Sequence, residues 1–258
     1  MQRHEIWFTG SSGYKLYGVL TLPDKTKKQP LVIMLHGFST SATDKDSYQR
    51  LATTLAAMGI ASLYYDRMGS GKSTGLFKQT KHTNDLRDLK QIINQLLKEY
   101  KFNNKIALYG SSSGGFLAIL YAAGDTRIKF LCLKAPNLRS LKFWQRQPGF
   151  KHWQKTSTIT YLNKTTGKKY PLDHSFYQDH LQLDALTAAK KLTIPVLSIH
   201  GDHDTTVPLL ESKLLLKALK SKDKQLKIIP GANHWFAGHE SALNREIMGW
   251  LTQKLARP

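Results

Sequence analysis

Gly110-Ser111-Ser112-Ser113-Gly114-Gly115 lies between the apolar run Ile106-Ala107-Leu108-Tyr109 and a helix-forming stretch from Phe116 to Ala123. That order reads as strand, tight turn, helix. A G-x-S-x-G pattern in this setting bends the backbone so sharply that the central serine hydroxyl stands clear of it, with glycines supplying the freedom the bend requires. Only Ser112 fits among the three adjacent serines: centring the pattern on Ser111 needs glycine at Tyr109, and centring it on Ser113 needs glycine at Ser111. Glycine and serine are common in plain loops, so the string is a hypothesis that the remaining chain must support.

The flanking sequence repeats the same alternation. Ile6 to Phe8 and Tyr14 to Leu22 read as two strands joined by Gly10-Ser11-Ser12-Gly13, a hairpin at one sheet edge. After a polar turn from Pro23 to Pro30, Leu31-Val32-Ile33-Met34-Leu35 is apolar throughout, as in a strand covered on both faces. The spacing over Asp46 to Met58 predicts a helix closed by Gly59. Ile60 to Tyr65 is a further strand, and Leu86, Leu89, Ile92, Ile93, Leu96 and Leu97 mark an amphipathic helix between Thr83 and Tyr100. Strands follow at Ile128 to Leu133, Ile194 to His200 and Leu226 to Ile229, with helices over Leu209 to Leu219 and Glu240 to Leu255. Strands alternating with helices give crossover units and a mostly parallel sheet with helices on both faces. Asn137 to Asp184 breaks the alternation without clear periodicity, which predicts an irregular lid or binding insertion.

Composition bounds the reading. A chain of 258 residues with 41% hydrophobic and 22% charged residues is an ordinary globular chain, consistent with one domain over residues 1–258. Its apolar runs are too short to cross a bilayer. The opening Met1-Gln2-Arg3-His4-Glu5 leads into a strand rather than a signal segment, and the one cysteine, Cys132, allows no intrachain disulfide; a cytoplasmic location is expected. Cys132 itself sits in an apolar run and reads as a buried hydrophobe.

Serine needs a base to take its proton, and that base needs a third group to orient it. In folds of this kind the partners follow the serine in the order acid, then histidine. The strand Ile194 to His200 runs into Gly201-Asp202-His203-Asp204-Thr205-Thr206-Val207-Pro208, and the last strand runs into Pro230-Gly231-Ala232-Asn233-His234. With His36-Gly37-Phe38, Asp66-Arg67-Met68-Gly69-Ser70-Gly71-Lys72-Ser73 and Ala135-Pro136, these segments make the chain resemble the α/β-hydrolase superfamily from Leu31 to Trp250. It is most similar to bacterial feruloyl/cinnamoyl esterase-like members and to monoacylglycerol-lipase-like and serine-aminopeptidase-like members. The resemblance implies an α/β-hydrolase fold with residues 137–184 as a cap, and cleavage of small-molecule carboxylic esters through an acyl-enzyme. It carries the acid onto Asp204 ahead of Asp202, the base onto His234, and the two oxyanion-hole N–H groups onto Phe38 and Ser113. Peptidase or thioesterase activity would use the same machinery. No cofactor or metal is called for: the crowd His200, Asp202, His203, Asp204 alternates awkwardly for ligation. Gly71-Lys72-Ser73 fails as a phosphate loop because position 66 is aspartate rather than glycine.

The charge balance is the unusual feature. Against 18 acidic residues stand 38 lysines and arginines, a net +20. From Thr126 to Leu172 there is no acidic residue, while Arg127, Lys129, Lys134, Arg139, Lys142, Arg146, Lys151, Lys155, Lys164, Lys168 and Lys169 are basic. Phe143, Trp144, Phe150, Trp153, Tyr161 and Tyr170 interleave with them, a composition that a nucleic-acid-binding surface would share. A solvated basic cap whose aromatics pack over the site is the expectation. Attraction to acidic substrates or to an anionic membrane surface stands beside it, and nucleic acid is disfavoured. The sequence specifies no oligomeric state.

Overall fold

The computed structural model describes residues 1–24, 28–44, 46–163 and 167–255. Lys164, counted above in the basic stretch, and part of the turn from Pro23 to Pro30 lie outside them. The chain begins with β1 (Gln2–Thr9) and β2 (Lys15–Leu22), followed by β3 (Gln29–Leu35), α1 (Asp46–Ala57) and β4 (Ala61–Tyr65). Then come α2 (His82–Glu99), β5 (Phe102–Ser111), α3 (Ser113–Ala122) and β6 (Ile128–Lys134). The stretch read from the sequence as irregular holds α4 (Ser140–Gln145), α5 (Phe150–Trp153), the antiparallel pair β7 (Thr158–Leu162) and β8 (Lys169–Asp173), and α6 (His174–His180). The chain closes with α7 (Ala185–Ala189), β9 (Val196–Gly201), α8 (Leu210–Ala218), β10 (Lys224–Ile229) and α9 (Glu240–Leu255).

Eight strands form one sheet in the order β1-β2-β4-β3-β5-β6-β9-β10. The β1–β2 and β2–β4 pairs are antiparallel and the others parallel, so the opening hairpin occupies one edge as its glycine loop predicted. β3 shows why an unbroken apolar run is needed at the centre. Successive side chains of a strand point to opposite faces, and Leu31, Ile33 and Leu35 join Leu89, Ile92 and Phe116 of α2 and α3. Val32 and Met34 join Leu51 and Leu55 of α1 and Ile247 and Leu251 of α9 on the other face. α2 presents its apolar stripe to the first of these layers, and α1 and α9 present theirs to the second. α1 stops where Gly59 takes a left-handed φ of 75°, as a C′ glycine does.

The segment between β6 and α7 builds a third apolar cluster of its own. Trp144, Trp153, Leu172, Phe176 and Tyr177 are buried together, with Phe38 and Phe77 of the main body packed against them. Its elements span four to seven residues, too few turns for a period to emerge, and its core is aromatic rather than striped. That is why no helix or strand was legible there. Among the described residues no helix is long and apolar enough to cross a membrane.

Candidate active site

Ser112 sits at the junction of β5 and α3 with φ 54° and ψ −115°. Left-handed backbone is costly for a residue with a Cβ, and the surroundings hold it there. The Ser112 N–H donates to Lys134 O at 2.8 Å, and its carbonyl accepts from Gly115 N–H at 2.9 Å. The glycines serve close approach rather than φ: a Cβ on Gly114 would lie 2.2 Å from Leu35 O, and one on Gly110 would lie 2.5 Å from Gly114 O. Backbone cannot yield to such contacts, so both positions require glycine.

Two loops reach this hydroxyl from strand ends further along the sheet. His234, after β10, has Nε2 3.1 Å from Ser112 Oγ and donates from Nδ1 to Asp204 Oδ2 at 2.7 Å. Asp204, after β9, is fixed through its other oxygen, which accepts the Thr206 and Val207 N–H groups at 2.9 and 2.8 Å. Asp202 is turned elsewhere, accepting the Gly231 N–H at 2.7 Å. Geometry therefore pairs His234 with Asp204.

A second histidine touches the same carboxylate. His200 is fully buried at the end of β9, with Nε2 2.8 Å from Val207 O and 3.2 Å from Asp204 Oδ2, and Nδ1 2.7 Å from Ser212 Oγ. Nε2 faces two acceptors and therefore carries a proton. Burial would raise the pKa of Asp204, but hydrogen bonds from His200, His234 and the Val207 N–H outweigh it and hold the carboxyl well below its ordinary range. Among the described residues, no group of three or more His, Cys, Asp or Glu side chains could hold a metal ion.

Phe38 and Ser113 line the same cavity as Ser112. Ser113 heads α3, where first-turn N–H groups have no acceptor within the helix. Phe38 follows Gly37, whose carbonyl is held by three donors: His36 Nδ1 at 2.8 Å, Arg67 Nη2 at 2.9 Å and Thr40 Oγ1 at 3.0 Å. In a trans peptide the N–H points opposite to the carbonyl, so anchoring Gly37 O fixes the direction of the Phe38 N–H. The same Arg67 nitrogen lies 3.5 Å from Ser113 Oγ, and its Nη1 pairs with buried Asp85 at 3.0 Å. One buried guanidinium thus touches both of these neighbouring segments. Arg67 belongs to a motif whose Asp66 carboxylate gathers the Ala42, Thr43 and Lys72 N–H groups.

Beyond Arg67, three features of the site could not be placed from the sequence. Asn163 donates to Ser39 O at 3.0 Å and Ser39 Oγ at 2.9 Å, tying the segment between β7 and β8 to the loop carrying Phe38. His82 and His180 are buried beneath the site, with ring centroids 4.5 Å apart. Burial lowers the pKa of each to about 3, so both are neutral imidazoles. His200 carried a signal, a polar residue ending a buried strand; Asn163 carried none. Of the aromatic residues interleaved with the basic ones, Trp144 and Trp153 are buried, and Phe143, Phe150, Tyr161 and Tyr170 are half-buried.

A cavity of about 650 Å³ opens over Ser112 and His234. Phe38, Phe143, Trp144, Phe176 and Val207 contribute apolar wall, and α4 contributes charged side chains.

The model of the prolyl oligopeptidase family matches residues 46–257. The chain is 24% identical to the monoacylglycerol lipase of Mycolicibacterium smegmatis, over 98% of each chain. It is 26% identical to the human monoglyceride lipase, over 88% of this chain and 83% of the lipase. Among solved structures, Est1E of Butyrivibrio proteoclasticus, determined with ferulic acid bound, superposes with a TM-score of 0.84 at 24% identity, over 98% of this chain and all of that one.

Proposed function

The chain belongs to the prolyl oligopeptidase family, and from that premise we propose that it is a serine hydrolase cleaving small-molecule carboxylic esters through an acyl-enzyme. The observation that carries the reading is the continuous chain of contacts from Ser112 Oγ through His234 to Asp204, 3.1 and 2.7 Å long. His234 takes the Ser112 proton as Oγ attacks the ester carbonyl, then returns it to the leaving alkoxide as the C–O bond breaks. A water attacks the acyl-enzyme by the same route, releasing the acid and restoring Ser112. Asp204, kept ionised, holds the Nδ1–H tautomer and stabilises the imidazolium. The Phe38 and Ser113 N–H groups receive the negative charge on the carbonyl oxygen. Residues 137–184 act as a cap whose aromatic core roofs the acyl-binding space.

Peptide and thioester cleavage use the same residues, and the lipase relatives favour esters. The single buried cysteine fits a cytoplasmic enzyme. A second reading, adhesion of the basic cap to an anionic membrane surface, has the acid-free stretch from 126 to 172 in its favour; vesicle rates given below test it. For the main reading, purified protein is assayed on p-nitrophenyl butanoate and labelled with a fluorophosphonate. Ester turnover and labelling are both expected, and both are expected to vanish in Ser112→Ala. Wild-type turnover in that variant refutes the assignment.

A further inference from the structure

Charge in the cavity wall is distributed unlike the apolar surface around it. Lys142 and Arg146 lie four residues apart on and just after α4, a spacing that puts them on one helix face; both line the cavity and both are exposed. Neither side chain has a hydrogen bond or ion pair among the described residues. The stretch around them contains no acid from 126 to 172, so no sequence neighbour neutralises them. Arg139, also in the wall, is already paired with Glu211 at 2.6 Å. On the same helix Phe143 lines the cavity and Trp144 is buried against the aromatic cluster. The cavity therefore combines an apolar wall with two cations that have no partner among the described residues.

We propose that the ester accepted by this site carries an anionic group, a carboxylate or phosphate, remote from the scissile bond, and that Lys142 and Arg146 hold it. This rests on the esterase reading and adds its substrate class. An uncharged amphiphile would gain only from the apolar wall. An anionic one also gains two charge contacts and faster encounter, because the five lysines and arginines in the wall outnumber Glu211 and Glu240, and a cleft of net positive charge with low-dielectric walls concentrates counter-ions. The guanidinium of Arg146 offers a planar fork that fits either group, and the Lys142 ammonium acts as a point charge.

The experiment compares matched pairs at low and high salt. On the acyl side the pair is p-nitrophenyl hydrogen adipate and p-nitrophenyl heptanoate; on the alcohol side it is 1-butanoylglycerol 3-phosphate and 1-butanoylglycerol, followed by acid release. In at least one pair the ratio of kcat/KM, anionic over neutral, is expected to be on the order of tenfold at low ionic strength and to decline toward one as salt screens the contact. Lys142→Gln/Arg146→Gln should remove the preference, and Lys142→Glu/Arg146→Glu should invert it. Circular dichroism and unfolding temperature identify any variant that fails to fold, and the salt series on the wild type stands without variants. Neutral esters turned over with no anionic preference in either pair overturn this proposal and leave the esterase reading intact. Turnover of neither pair, with wild type equal to Ser112→Ala, sinks the esterase reading instead. A third arm presents monoacylglycerol in neutral and in phosphatidylglycerol-containing vesicles. Enhancement confined to anionic vesicles, with none for soluble anionic esters, assigns the cations to a lipid surface and refutes a substrate subsite.

Discussion

Arg67→Lys tests whether one buried side chain sets the direction of the Phe38 N–H. The guanidinium reaches four partners at once: Asp85 at 3.0 Å, Gly37 O at 2.9 Å, His36 O at 3.3 Å and Ser113 Oγ at 3.5 Å. An ammonium is a compact point charge that keeps the ion pair with Asp85 but cannot span this set. The choice of lysine matters, because truncation would strand Asp85 in the core, at a cost of about 3–5 kcal/mol. Losing an oxyanion donor outright lowers kcat by roughly 10²–10³. In this variant Gly37 O keeps His36 Nδ1 and Thr40 Oγ1, two of its three donors, so the peptide is loosened rather than released. A fall in kcat of about tenfold is expected, equivalent to roughly 1.4 kcal/mol of transition-state stabilisation. KM for p-nitrophenyl butanoate should change little, because the ground-state carbonyl carries little of the charge the donors receive. A trifluoromethyl ketone, which binds as an oxyanionic hemiketal on Ser112, should weaken by the same factor. If kcat and inhibitor affinity stay within twofold of wild type while the unfolding temperature drops, Arg67 serves the fold alone and the reasoning is wrong.

Asp204→Asn should lower kcat by about 10³–10⁴ with the fold preserved, since asparagine cannot hold the Nδ1–H tautomer of His234; a loss below tenfold in steady-state assays would transfer the acid's role elsewhere. Stability should fall on acidification below about pH 6.5, because unfolded imidazoles protonate there whereas buried His82 and His180 protonate only near pH 3. Between those values the unfolded state binds the extra protons, so each group removes up to about 1.4 kcal/mol per pH unit. Asp204, whose folded pKa is depressed, adds stability above the ordinary carboxylate range that is lost at still lower pH. Unfolding temperatures from pH 7 to 4.5 should trace this decline, and His180→Gln should make it shallower; an unchanged slope would contradict it. Cys132 is fully buried and its thiol is pushed well above its usual range by burial, so Ellman's reagent should find no thiol in native protein and one after denaturation.

What the sequence disclosed follows how each feature is encoded. β3 was legible because burial on both faces demands an unbroken apolar run, and α1 because a helix of twelve residues repeats its stripe and ends at a glycine. Ser112 and His234 are 122 residues apart, yet each follows a recognisable strand in a fixed order, so their meeting could be anticipated. Asn163 and Ser39 are 124 residues apart with no pattern at either end, and their contact could not. Arg67 was legible only as part of a motif: two of its four partners are backbone carbonyls, which leave no trace in residue identity. The aromatic residues between β6 and α7 show the opposite limit, since the same composition serves base stacking or a packed core. The structure buries Trp144 and Trp153 in a packed core. Burial does not dispose of the charge in the same way. Lys142 and Arg146 remain exposed beside that core, so the basic excess that composition made conspicuous is, at this helix, turned toward the cavity over Ser112.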